Sequence, residues 1–176
     1  EGEEVKKREI VLPEGSVIHP GTIGFLAAIG IHKIDVYKKP AVSLIATGDE
    51  LVAPGRPLRP GKIYDSNSAM LQAALEQMNI RPVLTRRLRD DLRTIQRTVH
   101  SALEQSDILI LMGGVSTGDY DFVKKILEEE GVQTVFWGVK QKPGKPLYVG
   151  RKDDRLVFGL PGNPASVFIC FYEYVY

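Results

Sequence analysis

After residue 41, strand-like and helical segments alternate, and this pattern restricts the fold of the 176-residue chain more than any other feature. Short, predominantly apolar segments at residues 41–46 and 107–112 are typical of strands buried on both faces of a sheet. A further strand-like run lies at residues 82–85. Apolar residues elsewhere recur at helical spacing, in Met70, Leu71, Ala74, Leu75 and Met78, in Leu92, Ile95, Val99 and Leu103, and in Phe122, Val123, Ile126 and Leu127. The alternation predicts an α/β fold, a three-layer domain with a mostly parallel sheet flanked by helices.

The last third of the chain predicts additional strands and a closing helix. Residues 132–139 are strand-like, and residues 146–150 and 156–159 are expected to form a hairpin. Asn163 followed by proline is typical of a capped helix start, and this helix is predicted to continue to Val175. Because crossovers between parallel strands are right-handed, the strand-to-helix loops are expected at one edge of the sheet, where ligands bind in such folds.

The first part of the chain differs from the rest. We expect residues 1–39 to be a lead-in arm from a missing N-terminal domain, and residues 40–176 to be the main domain. Within the arm, the pattern predicts short strands at 9–12 and 34–37 and a helix over 22–29. The first residue is not Met, and we expect the chain to be a fragment of a longer protein.

Charge and cysteine content exclude several classes of function. Lys and Arg number 23 and Asp and Glu 22, so the net charge is +1. A global attraction to nucleic acid or to an anionic membrane is therefore not expected, and any anion site must be local. There is no apolar stretch of roughly 18 residues, which predicts no membrane span. Cys170 lies in an apolar run and predicts a buried, inert thiol without a disulfide, which favours a reducing cytoplasm.

Glycine turns follow two of the predicted strands. Thr47-Gly48-Asp49-Glu50 follows the first strand, and Gly113-Gly114-Val115-Ser116 follows the strand at 107–112 and leads through Thr117, Gly118 and Asp119 into a helix. Backbone N–H groups of a glycine turn, together with a helix N-terminus, attract anions such as phosphate. The stretch is neither a Walker A nor a GxGxxG motif. A tight turn that only connects strand and helix is the alternative interpretation.

Carboxylates gather in the same predicted loops. Asp49, Glu50, Asp90, Asp119 and Asp121 all fall at strand ends or helix starts. Carboxylates beside a bound phosphate repel it unless a cation lies between them, and this favours Mg²⁺. For Asp90 and Asp121, simple capping of a helix is the alternative.

Two later loops have the composition of anion sites. In Lys142-Pro143-Gly144-Lys145-Pro146, prolines restrict the backbone and two lysines form a compact positive point, although a solvated basic turn is the alternative. We expect this loop to fold back in order to reach the strand-end edge. Pro161-Gly162-Asn163-Pro164, with Ser166 in the following helical turn, predicts either an anion site or a well-capped helix.

In their order and spacing across residues 40–176, these segments resemble the molybdopterin molybdenumtransferases. The matching segments are Thr47-Gly48-Asp49-Glu50-Leu51, Gly61-Lys62-Ile63-Tyr64-Asp65-Ser66-Asn67, Arg89-Asp90-Asp91, Gly113-Gly114-Val115-Ser116, Lys142-Pro143-Gly144-Lys145-Pro146 and Pro161-Gly162-Asn163-Pro164. The segment from Gly21 to Pro40 is similar to the family's lead-in, and the gephyrin E domain is an animal relative. The resemblance implies a fold of the molybdenum-cofactor-biosynthesis (molybdopterin-binding) type, with an N-terminal arm.

The resemblance also implies a reaction, in which molybdate is inserted into adenylylated molybdopterin and AMP is released. It implies a divalent cation, Mg²⁺ or another, held by Glu50, Asp90 and Asp121, and catalysis by these residues together with Asp49. Molybdate is expected near Lys142, Lys145, Pro146 and Ser166. The residues implied for ligand binding are Thr47, Gly48, Asp65, Asn67, Gly113, Gly114, Val115, Ser116, Asp119, Lys142, Lys145, Pro146, Pro161, Gly162, Asn163 and Ser166.

The resemblance has two departures and leaves other functions open. Gly138 occupies a place where members often carry a basic residue. We also expect the chain to lack the flanking domains that support a homodimer in full-length members. A molybdopterin adenylyltransferase, a non-catalytic gephyrin-like scaffold and a generic nucleotide-binding domain are the alternatives. No nucleic-acid or membrane partner is expected.

Overall fold

The computed structural model describes residues 5, 6, 8–114 and 120–176, and for residues 120–122 it describes the backbone only. The chain forms two compact units, Glu1–Lys38 and Lys39–Tyr176.

The first unit contains one helix, α1 (Pro20–Ala28), among its described residues. Proline occupies the first turn of α1, and the His19 Nδ1 atom accepts a hydrogen bond from the Thr22 N–H at 3.3 Å. The predicted helix over 22–29 is therefore confirmed, with a start two residues earlier. The strands predicted at 9–12 and 34–37 are wrong, because the described part of this unit offers them no paired strand to satisfy their backbone groups.

The second unit is an α/β domain, which confirms the predicted fold class. Its strands are β1 (Val42–Thr47), β2 (Leu51–Val52), β3 (Ile63–Tyr64), β4 (Leu84–Leu88), β5 (Ile108–Met112), β6 (Gln133–Trp137), β7 (Tyr148–Lys152) and β8 (Arg155–Leu160). Its helices are α2 (Ser66–Gln77), α3 (Leu92–Gln105), α4 (Tyr120–Glu129) and α5 (Pro164–Cys170), and a π-helical turn, Phe171–Val175, follows α5. None of the described helices is long and apolar enough to cross a membrane.

The main sheet has the strand order β4-β1-β5-β8-β7-β6. The strands β4, β1, β5 and β8 are parallel, whereas β7 is antiparallel to both of its neighbours. Ala46 is paired with Met112, which is paired with Leu160, so the carboxyl ends of three central strands lie side by side. The loops that follow these strands therefore leave the sheet at one edge.

Apolar side chains fill the space on both faces of the sheet, as a three-layer domain requires. On one face Leu44 and Ile110 pack with the buried side of α2 and with α5, and on the other Ile45 and Leu111 pack with α3 and α4. Every residue of β1 is buried because helices cover both of its faces. Cys170 is fully buried in the first of these clusters, as predicted, and burial raises the pKa of its thiol.

The loop between β6 and β7 starts at the edge where the other functional loops start. Because β6 and β8 both run antiparallel to β7, the carboxyl end of β6 points the same way as the carboxyl end of β8. The Lys-Pro-Gly-Lys segment at 142–145 therefore does not need to fold back, and that expectation was wrong. The predicted hairpin is confirmed as β7 and β8, which are antiparallel with Tyr148 paired to Gly159.

Candidate functional site

At the strand-end edge of the second unit, a cavity of about 260 Å³ lies among the predicted loops. Thr47 is the last residue of β1, and Glu50 comes from the loop that follows it. Gly113 comes from the turn after β5, and Gly162 and Asn163 come from the loop after β8. The rest of the lining is Ala46, Leu51, Ile63, Tyr64, Asp65, Ser66, Asn67, Met112 and Pro164. The topology thus brings together segments that are more than a hundred residues apart in the sequence.

The turn after β5 requires glycine for two reasons. Gly113 and Gly114 have φ angles of +82° and +63°, which other residues rarely adopt. A Cβ atom on Gly113 would overlap the carbonyl oxygen of Thr47, and one on Gly114 would lie 2.9 Å from the Thr47 Oγ1 atom. The absence of side chains therefore lets the turn pack directly against the end of β1.

Thr47 contributes a hydroxyl group that faces this turn. The residue is 3% exposed, and its Oγ1 atom has no hydrogen-bond partner among the residues that the structure describes. A buried hydroxyl without a partner destabilises a protein by about 1–3 kcal/mol. A ligand oxygen in the adjoining cavity would supply a partner, so Thr47 is available as a hydrogen-bond donor.

Asp49 and Asp90 connect the loops that follow β1 and β4. The backbone N–H of Asp49 donates to Asp90 Oδ2 at 3.3 Å, and the backbone N–H of Asp90 donates to Asp49 Oδ1 at 3.4 Å. Lys62, in the segment that leads into β3, donates from Nζ to the Asp49 carbonyl oxygen at 2.8 Å. These contacts fix the Asp49 backbone and orient its carboxylate toward the neighbouring loop, so Asp49 is placed to position Asp90.

The N-terminus of helix α3 is capped by Asp91 and not by its neighbour Asp90. Asp91 Oδ1 accepts the Thr94 N–H at 2.8 Å, and hydrogen bonds from Thr94 lower the pKa of the Asp91 carboxyl. The alternative interpretation of Asp90 as a simple helix cap is therefore wrong in this structure.

Glu50 lies at the cavity with its carboxylate against Gly48. Any Cβ atom on Gly48 would lie 2.6 Å from Glu50 Oε1, and the φ angle of Gly48 is +153°. The carboxylate oxygens of Glu50 and Asp90 are of the donor type that Mg²⁺ prefers, so the chemistry of these side chains fits this cation. Within the described residues no three Asp, Glu, His or Cys side chains are close enough to hold a metal. The third predicted ligand, Asp121, has its side chain outside the described part of the chain.

Asp65 and Asn67 support the loops around the cavity. Asp65 is 5% exposed, caps α2 by accepting the Ser68 N–H at 3.0 Å, and lies 3.8 Å from the Arg87 guanidinium. Asn67 Nδ2 donates to the Gly162 carbonyl oxygen at 2.8 Å, which ties α2 to the loop after β8. The Asn67 Oδ1 atom is buried and has no partner among the described residues. Direct ligand binding by either side chain stays a prediction.

The loop after β8 ends in a capped helix. Asn163 Oδ1 accepts the N–H groups of Ala165 and Ser166 at 3.0 and 3.4 Å, so the capping interpretation of this segment is confirmed. Gly162 and Asn163 are exposed at the cavity, whereas Pro161 and Ser166 are buried. An anion site at Ser166 stays a prediction.

Packing against α5 shapes the lysine loop. Gly144 has a φ of +110°, and a Cβ atom there would lie 2.6 Å from the Cys170 Sγ atom, so only glycine fits above the thiol. Lys142 and Lys145 are exposed, and Pro146 is half-buried. No carboxylate of the described residues forms an ion pair with either lysine. Both positive charges are therefore available to an anion.

Three predicted binding residues, Val115, Ser116 and Asp119, lie outside the described residues. Sequence reasoning did not assign Lys62 or Tyr64 to the site, although both belong to the segment that includes Asp65 and Asn67. Tyr64 lines the cavity, and its hydroxyl donates to the Arg56 carbonyl oxygen at 3.0 Å. Both residues lie in the segment Gly61–Asn67 that carries the family resemblance, and this position could have assigned them to the site.

The fold and cavity define an α/β domain with glycine turns suited to an anionic ligand at its strand ends. Residues 43–176 match a family described as "Probable molybdopterin binding domain", and the chain belongs to this family. The match confirms the resemblance that the sequence motifs indicated.

Similar proteins carry more specific names. The chain is 38% identical over 174 residues to a Haemophilus influenzae protein named molybdopterin molybdenumtransferase, and 37% identical over 174 residues to a Bacillus subtilis protein of the same name. These alignments cover 99% of this chain but 43% and 40% of those proteins. A crystal structure of the molybdopterin biosynthesis moeA protein from Pyrococcus horikoshii OT3 matches with a TM-score of 0.74 and 36% identity, over 99% of this chain and 42% of that one. The chain thus spans about two fifths of the length of the relatives it matches.

Proposed function

We propose that this chain is the central catalytic domain of a molybdopterin molybdenumtransferase. It would insert molybdate into adenylylated molybdopterin with release of AMP, the last step of molybdenum cofactor biosynthesis. The observation that carries the proposal is the strand-end cavity, where the Gly113-Gly114 turn, the Thr47 hydroxyl and the Glu50 carboxylate meet. The names of relatives at 37–38% identity support the choice of reaction.

The glycine turn would bind the phosphate groups of the adenylylated pterin. The Gly113 N–H donates to the Leu160 carbonyl oxygen at 3.3 Å. With no side chain on Gly114, a phosphate oxygen can approach the Gly114 N–H closely. The Thr47 hydroxyl lies beside the same turn and would donate a further hydrogen bond. Both donors are fixed before the ligand binds, which lowers the cost of ordering the site.

The acidic loops would hold a divalent cation beside those phosphates. Glu50, Asp90 and Asp121 are the proposed ligands, and Asp49 positions Asp90 through their paired hydrogen bonds. Bound Mg²⁺ would neutralise charge on the phosphate oxygens and so favour hydrolysis of the adenylyl bond. Without a cation, Glu50 and Asp90 would repel the phosphates, so binding is expected to depend on Mg²⁺.

The exposed lysines of the loop between β6 and β7 would attract molybdate. Lys142 and Lys145 extend from a loop at the same edge of the sheet as the glycine turn. Two ammonium groups can offset the repulsion between molybdate and the phosphate-bearing substrate. The full-length protein is proposed to act as a cytoplasmic homodimer, in which flanking segments complete the site.

Binding of AMP tests the proposal on the chain as it stands. Calorimetry with AMP in the presence and absence of Mg²⁺ should show binding that Mg²⁺ strengthens and that Asp90→Asn weakens about tenfold, as expected for loss of one charge-assisted ligand. Asp154→Asn is a matched control, because Asp154 lies in the exposed turn between β7 and β8. AMP binding that is indifferent to both Mg²⁺ and Asp90→Asn would contradict the proposed site.

Supplying substrates tests the reaction itself. With adenylylated molybdopterin, Mg²⁺ and molybdate, the full-length protein should release AMP and form a cofactor that activates an apo-molybdoenzyme. Production of adenylylated molybdopterin from molybdopterin and ATP would instead identify an adenylyltransferase and refute the assignment.

A further inference from the structure

Positive charge is concentrated in one short stretch of this nearly neutral chain. Residues 81–97 contain six arginines and two aspartates, although the whole chain has a net charge of +1. The stretch forms β4, which is an edge strand of the main sheet, and the first half of α3. The proposed reaction uses only Asp90 of this stretch, and it uses none of the six arginines.

A groove of about 340 Å³ lies between β4 and α3 on this surface. It is lined by Leu84, Arg86, Thr94, Arg97, Thr98 and Ser101. The lining includes two guanidinium groups and three hydroxyls but no carboxylate. It shares no residue with the cavity at the strand ends.

Both arginines of the groove retain most of their hydrogen-bonding capacity. Arg86 Nη1 donates to the Thr85 carbonyl oxygen at 3.0 Å, and Arg97 Nε donates to the Arg93 carbonyl oxygen at 3.3 Å. A guanidinium group has five N–H bonds, so each such contact uses only one of them. These backbone contacts also restrain the two side chains near the groove.

The three hydroxyl groups of the groove differ in whether their protons are free to donate to a ligand. Thr98 already donates to the Thr94 carbonyl oxygen at 2.7 Å, and the Thr94 side chain interacts with Asp91. Ser101 Oγ accepts from Gln105 Nε2 at 3.2 Å, which leaves its own proton available. The groove therefore has two guanidinium groups and one hydroxyl as donors.

Two neighbouring carboxylates set the local charge balance. Asp91 lies close enough to Arg93 and Arg97 for their charges to help lower its pKa, but its carboxylate caps α3. Asp65 pairs instead with Arg87. Neither Arg86 nor Arg97 forms an ion pair with a carboxylate within the described ranges.

We propose that this groove binds a doubly charged tetrahedral oxyanion through Arg86, Arg97 and Ser101. A guanidinium group places two parallel N–H bonds on the oxygens of such an anion, and two of these groups compensate a dianion. The ligand is either a free inorganic oxyanion or the phosphate group of a nucleotide. The proposal does not depend on the reaction assigned to the strand-end cavity.

Titration of the ¹⁵N-labelled chain with inorganic phosphate at constant ionic strength tests the proposal. Amide signals of residues 94–101 are expected to shift with saturation. Arg97→Gln and Arg86→Gln should each weaken phosphate binding about tenfold, as loss of a charge-assisted bidentate contact predicts. Arg93→Gln is the matched control, because Arg93 is an exposed arginine on α3 that does not line the groove.

The same titration with AMP distinguishes the two sources of the anion. Binding at residues 94–101 that is tighter for AMP than for phosphate indicates a nucleotide, and equal binding indicates a free oxyanion. The proposal is overturned if phosphate leaves these amides unshifted, or if Arg93→Gln weakens binding as much as Arg97→Gln does. The latter result would show diffuse attraction to the basic surface. Circular dichroism of each variant verifies that it is folded.

Discussion

Replacing Thr47 with valine should make the domain more stable and its ligand binding weaker. Valine has nearly the shape of threonine, so the change removes the Oγ1 hydroxyl and leaves the packing at the end of β1 intact. This hydroxyl is buried and unpartnered among the described residues. Because an unsatisfied buried polar group costs about 1–3 kcal/mol, Thr47→Val is expected to raise the free energy of unfolding by about 1 kcal/mol.

The effect on binding should have the opposite sign. A hydrogen bond to a charged phosphate oxygen contributes about 1.5–3 kcal/mol, so its loss predicts AMP binding that is weaker by about tenfold or more. Urea denaturation measures the first effect, and calorimetry with AMP and Mg²⁺ measures the second. A gain of 1 kcal/mol corresponds to a rise in the melting temperature of about 2–4 °C for a chain of this size.

Ser43 provides the matched control for this experiment. It is fully buried in β1, and its Oγ atom also lacks a partner among the described residues, but it does not line the cavity. Ser43→Ala is therefore expected to leave AMP binding unchanged. Two results would refute the interpretation of Thr47 as a hydrogen-bond donor to the ligand. One is a loss of about 1 kcal/mol or more in the free energy of unfolding of Thr47→Val, and the other is AMP binding by this variant as tight as that of the original chain.

Further predictions concern the lysine loop and the contact between α3 and the end of α4. Gly144→Ala is expected to destabilise the domain by about 2–3 kcal/mol in urea denaturation, because the added Cβ atom clashes with a neighbour at an already strained φ angle. The control is Gly131→Ala, which should destabilise the domain by only about 1 kcal/mol because its φ is +80° but its nearest neighbour is 3.8 Å away. Equal losses of stability in the two variants would contradict this reasoning. His100 Nδ1 lies 2.8 Å from Glu130 Oε2, and this hydrogen bond raises the pKa of His100 above 6.5. The contact should therefore stabilise the fold fully below pH 6.5 and lose this effect as the pH rises through the raised pKa. His100→Gln is expected to lower the free energy of unfolding at about pH 5.5 but not at about pH 9. A stability difference that is constant with pH would contradict this assignment.

The central strands could be predicted because their burial is visible in the sequence. Residues 108–112 form a continuous apolar run, and the structure places β5 there with helices on both faces. The edge strand is harder to predict, because Arg86 and Arg87 interrupt its apolar pattern where solvent replaces a neighbouring strand. The prediction at 82–85 therefore found the strand but shifted it toward its N-terminus. Strands β2 and β3 have two residues each, too few for a periodic signal.

The convergence of the functional loops could also be predicted, since it follows from parallel strands alone. The contacts within the site could not. The paired hydrogen bonds of Asp49 and Asp90 join backbone and side-chain atoms 41 residues apart in the sequence, and no residue pattern specifies them. In the arm the sequence predicted a strand that does not form, since residues 34–37 alternate as a strand does but have no partner strand in the described part of the chain.

The two edges of the main sheet are protected from strand addition by other molecules in different ways. Strand β4 carries two adjacent exposed arginines, Arg86 and Arg87, so pairing a second copy in register would bring like charges together. Strand β6 has exposed apolar residues, Val135 among them, but its pairing with β7 is interrupted by an irregularity between Thr134 and Phe136. Such a distortion bends the strand and makes it a poor template. Resistance to aggregation therefore depends on charge at one edge and on backbone shape at the other.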